Sequence, residues 1–186
     1  MTKKTFRRPR RRMTEIGWRE MVGLPEFQIA SLRAKIDTGA RTSALHAVDL
    51  KRFERHGTSW VEFHIPLPGQ PRSKRSAAPI ADERPIKNTS GVAEQRIIVE
   101  TTLVLAKRHW RIEVSLADRE NMEFDLILGR TALRGRRLLV NPGRSSLAGQ
   151  PAYPAMAEDF PESGGLRTSQ RGLDPMPDAA TQGNKP

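Results

Sequence analysis

Alternating apolar and polar residues mark one strand that leads directly into the most informative turn of the sequence. Leu32, Ala34 and Ile36 alternate with arginine and lysine, which is the period-two pattern of a strand with one buried face. The strand runs into an Asp-Thr-Gly triplet that begins at Asp37, where a short acid and a glycine favour a tight turn. Most Asp-x-Gly triplets are only turns, so this triplet alone is weak evidence for a reactive carboxylate.

The same periodicity predicts further short elements along the chain. Strands are predicted at 29–36, 44–50, 60–65, 96–105, 109–117, 124–128 and 138–140, with a helical turn at 131–133. Between them the composition predicts a charged turn at 51–57, a proline-rich loop at 66–85, an irregular stretch at 85–95 and a hairpin turn at 107–108. Short strands at hairpin spacing with little helix predict an all-β fold, a small closed β-barrel.

Charge and proline content divide the chain into three parts. Residues 1–12 carry seven lysines and arginines and no acid, so 1–13 is predicted to be a disordered basic arm. The folded domain is predicted at 14–149, with 66–95 as a flap and insertion. Residues 150–186 are rich in proline and glycine and poor in large apolar residues, which predicts a disordered tail.

Composition narrows the classes of function. The length of 186 residues favours one domain, and the absence of cysteine excludes disulfides, thiolate metal sites and cysteine nucleophiles. A net charge of +11 favours acidic partners without choosing among nucleic acid, an anionic surface and an acidic peptide. No secretion signal or membrane-length apolar run is evident, so a cytoplasmic location and no membrane contact are expected.

A second motif far downstream changes the interpretation of the Asp37 turn. Three aliphatic residues precede Gly129 and Arg130, and this combination with a hydrophobic-Asp-Thr-Gly-Ala turn resembles the retropepsin-like aspartic proteases. The segments 41–46, 86–91, 112–116 and 140–142 are similar to one bacterial family in particular. That is the RimB-like retropepsin family linked to the RimK glutamate ligase, whose members often carry the label ATP-dependent zinc protease. The likeness covers about residues 15–149.

The resemblance implies an aspartic peptidase with Asp37, Thr38 and Gly39 as its catalytic turn. Peptide hydrolysis by carboxylates needs two acids, and this chain has a single Asp-Thr-Gly triplet. The resemblance therefore implies a homodimer in which each chain supplies one half-site. Thr38 would link the two turns by hydrogen bonds, and Gly39 would present its backbone to the substrate.

Several residues around the turn are predicted to bind substrate. They are Ala40, Arg41, Lys35, Lys87 and Arg130. In the retroviral enzymes an aspartate at the position of Arg41 pairs with the arginine at position 130, so that pairing is lost here. Two arginines near one cleft suggest a site for an acidic ligand, although Arg41 pointing into solvent is an equal alternative. The tip of the flap is predicted at 87–91, and 68–78 is interpreted as an insertion.

Metal and nucleotide chemistry find no support in the sequence. The four histidines are His46, His56, His64 and His109, and none belongs to a His-Glu-x-x-His motif. No glycine-rich phosphate loop is present either, so no metal and no cofactor are expected despite the family label. His46 lies near the turn. It is interpreted as a surface or structural residue in preference to a residue that contacts substrate.

Two functions of different class follow from these observations. The first is a homodimeric aspartic peptidase that trims glutamate-rich C-terminal tails of a ribosomal protein, since the resembled family is linked to a ligase that adds them. Its partners would be a second copy of the chain and an acidic peptide. The alternative is a non-catalytic module that binds RNA or ribosomes on the same barrel, with the basic arm making weak nucleic-acid contacts.

Overall fold

The computed structural model describes residues 13–69, 71, 74–87, 91–119 and 123–153. Its elements are β1 (Thr14–Gly17), β2 (Arg19–Leu24), a 3-10 turn (Pro25–Phe27), β3 (Ile29–Ile36), β4 (Ser43–His46), β5 (Val48–Arg55), β6 (Thr58–His64), β7 (Ser76–Lys87), β8 (Ala93–Leu105), β9 (Arg108–Ala117), β10 (Leu126–Leu128), α1 (Arg130–Leu133) and β11 (Leu138–Asn141). Among the described residues no helix is long and apolar enough to cross a membrane.

The strands form one large sheet and one small one. The nine-stranded sheet has the order β2-β3-β10-β4-β9-β8-β7-β6-β5, and β2 pairs with β8 as well, which links six of the strands in a ring. The small sheet joins β1 and β11 in parallel. These pairings confirm the predicted all-β class. The closed barrel stays a prediction that the β2–β8 pairing favours.

The core lies where the inward faces of the ring strands meet. β3 contributes Leu32, Ala34 and Ile36, as its alternating pattern predicts, and β8 contributes every second residue from Ile97 to Leu105. Phe27 and Phe63 meet edge to face with ring centroids 5.3 Å apart. This packing fixes the strand that carries the Asp37 turn.

The predicted charged turn at 51–57 is wrong. β5 continues to Arg55, and only His56 and Gly57 form the connection to β6. Both residues have positive φ, 51° and 71°, which suits a two-residue hairpin turn. β5 is nearly all exposed and polar, so the pattern lacks a buried face, and cross-strand pairing such as Phe53 with Trp60 holds the strand instead.

The predicted loop at 66–85 is also wrong in its second half. β7 occupies Ser76–Lys87 even though it contains Pro79 and Pro85. Its first part pairs with β6 and its second part with β8, so each proline has a free strand edge beside it. The irregular stretch predicted at 85–95 shrinks accordingly, since β8 begins at Ala93.

Two further boundaries differ from those predicted: the turn between β8 and β9, and the C-terminal end of the folded domain. The turn between β8 and β9 lies at Ala106 and Lys107, because Arg108 already pairs with Leu105. At the other end, the Tyr153 hydroxyl donates to the carbonyls of Ile29 and Ala30, at 2.6 and 2.8 Å, within the segment predicted as tail. The rest of that tail, 154–186, and the arm at 1–12 lie outside the described residues.

Glu20 in β2 and Glu26 in the following 3-10 turn form hydrogen bonds with segments that are distant in the chain. Glu20 is fully buried and accepts backbone N–H groups from Gly17, Leu147 and Ala148, which holds the chain after β11 against β2. Glu26 accepts the hydroxyls of Thr101 and Thr102 and the backbone N–H of Thr102. Burial opposes ionisation of Glu26, but these hydrogen bonds outweigh it and lower the pKa of its carboxyl below the ordinary 4.5.

Glu26 makes stability depend on pH in the acid range. The pKa of Glu26 is lower in the folded state than in the unfolded state. Its contribution to the free energy of unfolding is therefore complete above its unfolded-state pKa and is lost as pH falls through its folded-state pKa. We expect Glu26→Gln to lower the free energy of unfolding by roughly 1–3 kcal/mol at neutral pH. The loss should shrink as pH falls below 4.5, where the wild-type carboxyl also becomes protonated. Urea unfolding across pH measures this, and a loss that does not change with pH would contradict the assignment.

Candidate active site

The Asp37 turn is held by backbone hydrogen bonds from both of its sides. β3 delivers Asp37 to the end of a buried strand, and its N–H donates to the carbonyl of Leu128 at 2.9 Å. Its Oδ1 accepts the N–H groups of Gly39 and Ala40, each at 2.9 Å. The carboxylate is thus half-buried and held in one orientation. Thr38 and Gly39 are exposed.

The strand that follows far downstream packs beneath this turn. β10 lies between β3, to which it is parallel, and β4, to which it is antiparallel. At its end, a Cβ on Gly129 would lie 2.5 Å from the carbonyl carbon and oxygen of Thr42, so glycine alone permits this approach. The N–H of Gly129 also donates to the Ser43 hydroxyl at 3.2 Å. The two motifs that the sequence separates by almost a hundred residues are therefore parts of one site.

Arg130 braces the turn from within the same chain. Its Nη1 donates to the carbonyls of Thr38 and Gly39, at 2.9 and 2.8 Å, and its backbone N–H donates to the carbonyl of Ala40 at 2.9 Å. The sequence suggested a substrate contact for this arginine, whose acidic partner is missing. In the structure its guanidinium binds backbone carbonyls instead. These carbonyl oxygens accept the hydrogen bonds that the missing aspartate would have accepted.

The remaining cations predicted to bind substrate, Lys35, Arg41 and Lys87, are all exposed. Lys35 and Arg41 are exposed on either side of the turn, and the carbonyl of Arg41 accepts the N–H and hydroxyl of Thr131. Lys87 is the last residue of β7, opposite Ala93 at the outer end of the β7–β8 hairpin. Among the described residues no contact joins Lys87 to the turn.

His46 is a buried structural residue. Its backbone N–H donates to the carbonyl of Asp125 at 2.6 Å. Its ring Nδ1 accepts the backbone N–H of Arg119 at 2.9 Å. His46 therefore joins the end of β4 to the chain that leaves β9.

Arg119 is the site residue that sequence reasoning missed. Its side chain is half-buried, and its Nε donates to the carbonyl of Phe124 at 3.3 Å. Burial, and next the positive charge of Arg96, lower the pKa of the Arg119 guanidinium, while Asp125 and Asp37 partly offset this. The sequence offered one signal, a charged pair directly after the alternating strand β9.

The described residues contain no group of three histidine, aspartate or glutamate side chains that could hold a metal ion. His64 is buried, and its Nδ1 lies 2.9 Å from the carbonyl of Lys74, so this ring is engaged by the backbone. The site can offer one oriented carboxyl with cations around it.

Comparison with known proteins agrees with this geometry. The sequence model of the RimB-like family, described as retropepsin-like aspartic endopeptidase RimB, matches residues 15–151. A crystal structure of a protein of unknown function from Legionella pneumophila superimposes with a TM-score of 0.59 and 24% identity, over 72% of this chain and 96% of that one. This structural likeness shows the fold alone.

Curated relatives carry a different name. Proteins described as "Probable alpha-L-glutamate ligase" are 36% identical over 158 residues in Desulfotalea psychrophila and 34% identical over 160 residues in Parasynechococcus marenigrum. The matches cover 82% and 85% of this chain but 34% of each relative, so the chain spans about a third of their length. The family match covers most of the described residues and includes both motifs of the site. The chain belongs to the RimB-like family of retropepsin-like aspartic endopeptidases.

Proposed function

We propose that this protein is an aspartic peptidase in which two copies of the chain form one active site. The observation that carries the proposal is the Asp37 carboxyl, which two backbone N–H groups orient at an exposed turn braced by Arg130. Family membership supports the same chemistry. Asp37 from each copy would face the other across the two-fold axis.

The reaction follows from two carboxyls that share one proton. The ionised carboxyl takes a proton from a water molecule, whose oxygen attacks the carbonyl carbon of the scissile peptide bond. The protonated carboxyl donates to the carbonyl oxygen, and collapse of the tetrahedral intermediate transfers a proton to the leaving nitrogen. A single Asp37 offers one of these two groups, so one chain alone is incomplete.

Exposed residues support the homodimer. Thr38 and Gly39 project from the turn, where their counterparts in a second copy could meet them. Large apolar side chains are also exposed at the small β1–β11 sheet: Leu139 of β11 is 57% exposed, and Met13, directly before β1, is 55% exposed. Apolar surface of this kind on a two-stranded sheet favours burial against another chain.

The substrate that the site favours is a glutamate-rich peptide. The relatives described as glutamate ligases contain a segment similar to this chain within one longer protein. A peptidase joined to a ligase is well placed to cut the bonds that the ligase makes. Arg119 interacts with the charge of Asp37, and Lys35 and Arg41 are exposed close to it in the chain, so positive charge near the turn suits glutamate side chains. We propose the glutamylated tail of a ribosomal protein as the natural substrate.

A second function is favoured by one surface feature. On the outer face of the β5–β6 hairpin, Phe53 is 39% exposed and lies 6.2 Å from Trp60, and the Arg55 guanidinium stacks 5.2 Å from the Trp60 ring. Aromatic rings with a stacked arginine are typical of surfaces that bind single-stranded nucleic acid. A non-catalytic RNA- or ribosome-binding module is therefore the alternative. It predicts RNA retention at moderate salt without peptide cleavage by the wild type.

The substrate is tested with two matched peptides, one ending in a run of glutamates and one with glutamine at the same positions. We expect cleavage between the glutamates, weakened by added salt because the attraction is between charges, and little cleavage of the glutamine peptide. Asp37→Asn should abolish the activity, as measured by mass spectrometry of the products. Equal rates on both peptides would contradict the substrate, and cleavage by pure Asp37→Asn protein would contradict the peptidase.

The role of Arg130 is tested by its removal. Arg130→Ala frees the carbonyls of Thr38 and Gly39, so the carboxyl loses its fixed position while the substrate-facing cations remain. We expect kcat to fall roughly tenfold to a hundredfold with a smaller change in KM, because misplaced catalytic groups slow the chemical step. Arg134→Ala is the matched control, since this exposed arginine directly follows α1 and its side chain makes no described contact. Equal effects of the two substitutions would refute the bracing role.

A further inference from the structure

Arg119 presents unused hydrogen-bond donors at the edge of the catalytic site. Its backbone N–H is taken by His46 and its Nε by the carbonyl of Phe124, and among the described residues no carboxylate forms a salt bridge with it. The two Nη groups of the half-buried guanidinium remain available. A guanidinium removed from water without a carboxylate partner is costly unless a ligand supplies one.

Arg96 lies nearby in a similar condition. Its side chain is 13% exposed, and its Nε is the one buried side-chain nitrogen or oxygen without a hydrogen-bond partner among the described residues. Its Nη2 donates to Glu94 at 2.8 Å. That Nε has almost no accessible surface, so a ligand would reach this guanidinium through its Nη groups.

Strand pairing brings the two arginines to the same end of the sheet. β8 and β9 are antiparallel with Ile98 opposite Ser115, so Arg96, just before Ile98, and Arg119, just beyond β9, lie at one end. The interaction between their charges is repulsive, and Asp37 and Asp125 attract Arg119. Two like charges held together by the fold favour an anion between them.

A cavity of about 460 Å³ opens beside Arg96, and its walls suit a side chain with a short apolar stem. Its apolar wall consists of Ala47, Val48, Leu50, Leu116 and Ala117. The acids that also line it are already engaged or directed outward: Glu94 bonds Arg96, Asp49 pairs with Arg75, and Asp118 is 69% exposed. None of these acids reaches the unsatisfied Nε of Arg96.

We propose that Arg96 and Arg119 together bind the side-chain carboxylate of a glutamate residue next to the scissile bond. This inference rests on the proposed peptidase function and names the residues that make that site specific for acidic peptides. The apolar stem of the glutamate would lie along the cavity wall, and its carboxylate would accept from the Nη groups of Arg96 and Arg119. A glutamine side chain offers one acceptor and no charge, so it would be held less tightly.

The experiment measures binding and cleavage separately. Full-length Asp37→Asn protein is titrated with a fluorescent peptide that ends in a run of glutamates, and with its glutamine counterpart. In that background, Arg119→Gln and Arg96→Gln are each expected to weaken binding of the glutamate peptide about tenfold or more, while binding of the glutamine peptide changes little. Arg119→Lys should recover part of the affinity because it restores the charge. Arg134→Gln removes one exposed arginine and serves as the control.

The outcomes separate this inference from the proposed function. If the wild type cleaves glutamate peptides but the arginine variants bind and cleave them like the wild type, the carboxylate site is wrong and the peptidase stands. If no peptide is cleaved but the glutamate peptide binds in an Arg96- and Arg119-dependent way, the site stands and the peptidase fails. Melting temperatures of each variant identify unfolding, and an Arg96→Gln protein that unfolds leaves Arg119→Gln to decide the matter.

Discussion

The close approach of Gly129 to the backbone at Thr42 is the contact on which the site depends. A Cβ at this position would lie 2.5 Å from the Thr42 carbonyl group, so any other residue would push β10 away from the turn. Because β10 pairs with β3 on one side and β4 on the other, this approach ties the strand before Asp37 to the strand that follows the turn. The orientation of the carboxyl therefore rests first on backbone packing, to which the exposed side chain of Arg130 adds hydrogen bonds to the turn.

Positive charge is arranged around that carboxyl in two different roles. Arg130 has a structural role, since its guanidinium binds the carbonyls of Thr38 and Gly39 and stabilises the turn. Arg119 and Arg96 keep unsatisfied donors in a partly buried setting, where an anion would gain most from them. A site built in this way separates the geometry of catalysis from the recognition of substrate. On the proposed function, Arg130 would hold the catalytic turn while Arg96 and Arg119 would recognise an acidic peptide.

The sequence predicted those features that depend on local patterns. The alternation in β3 and the Asp37 turn are short-range signals, whereas the glycine beneath the turn was indicated by the family resemblance. β7 was missed because its prolines are tolerated only where each half of the strand has a single neighbour, and the sequence does not reveal such pairing. The roles of Arg130 and Arg119 were missed for a related reason. Both depend on backbone carbonyls and a histidine that the fold brings from distant segments.

The central claim is that two copies of Asp37, one from each chain, form a single active site. It is tested most directly by mixing wild-type and Asp37→Asn protein in varied proportions, at constant total concentration, until the chains have exchanged between dimers. A mixed dimer holds one aspartate and lacks the second acid, so activity should fall with the square of the wild-type fraction. Activity that falls in simple proportion to the wild-type fraction would mean that each chain works alone, and it would contradict this account.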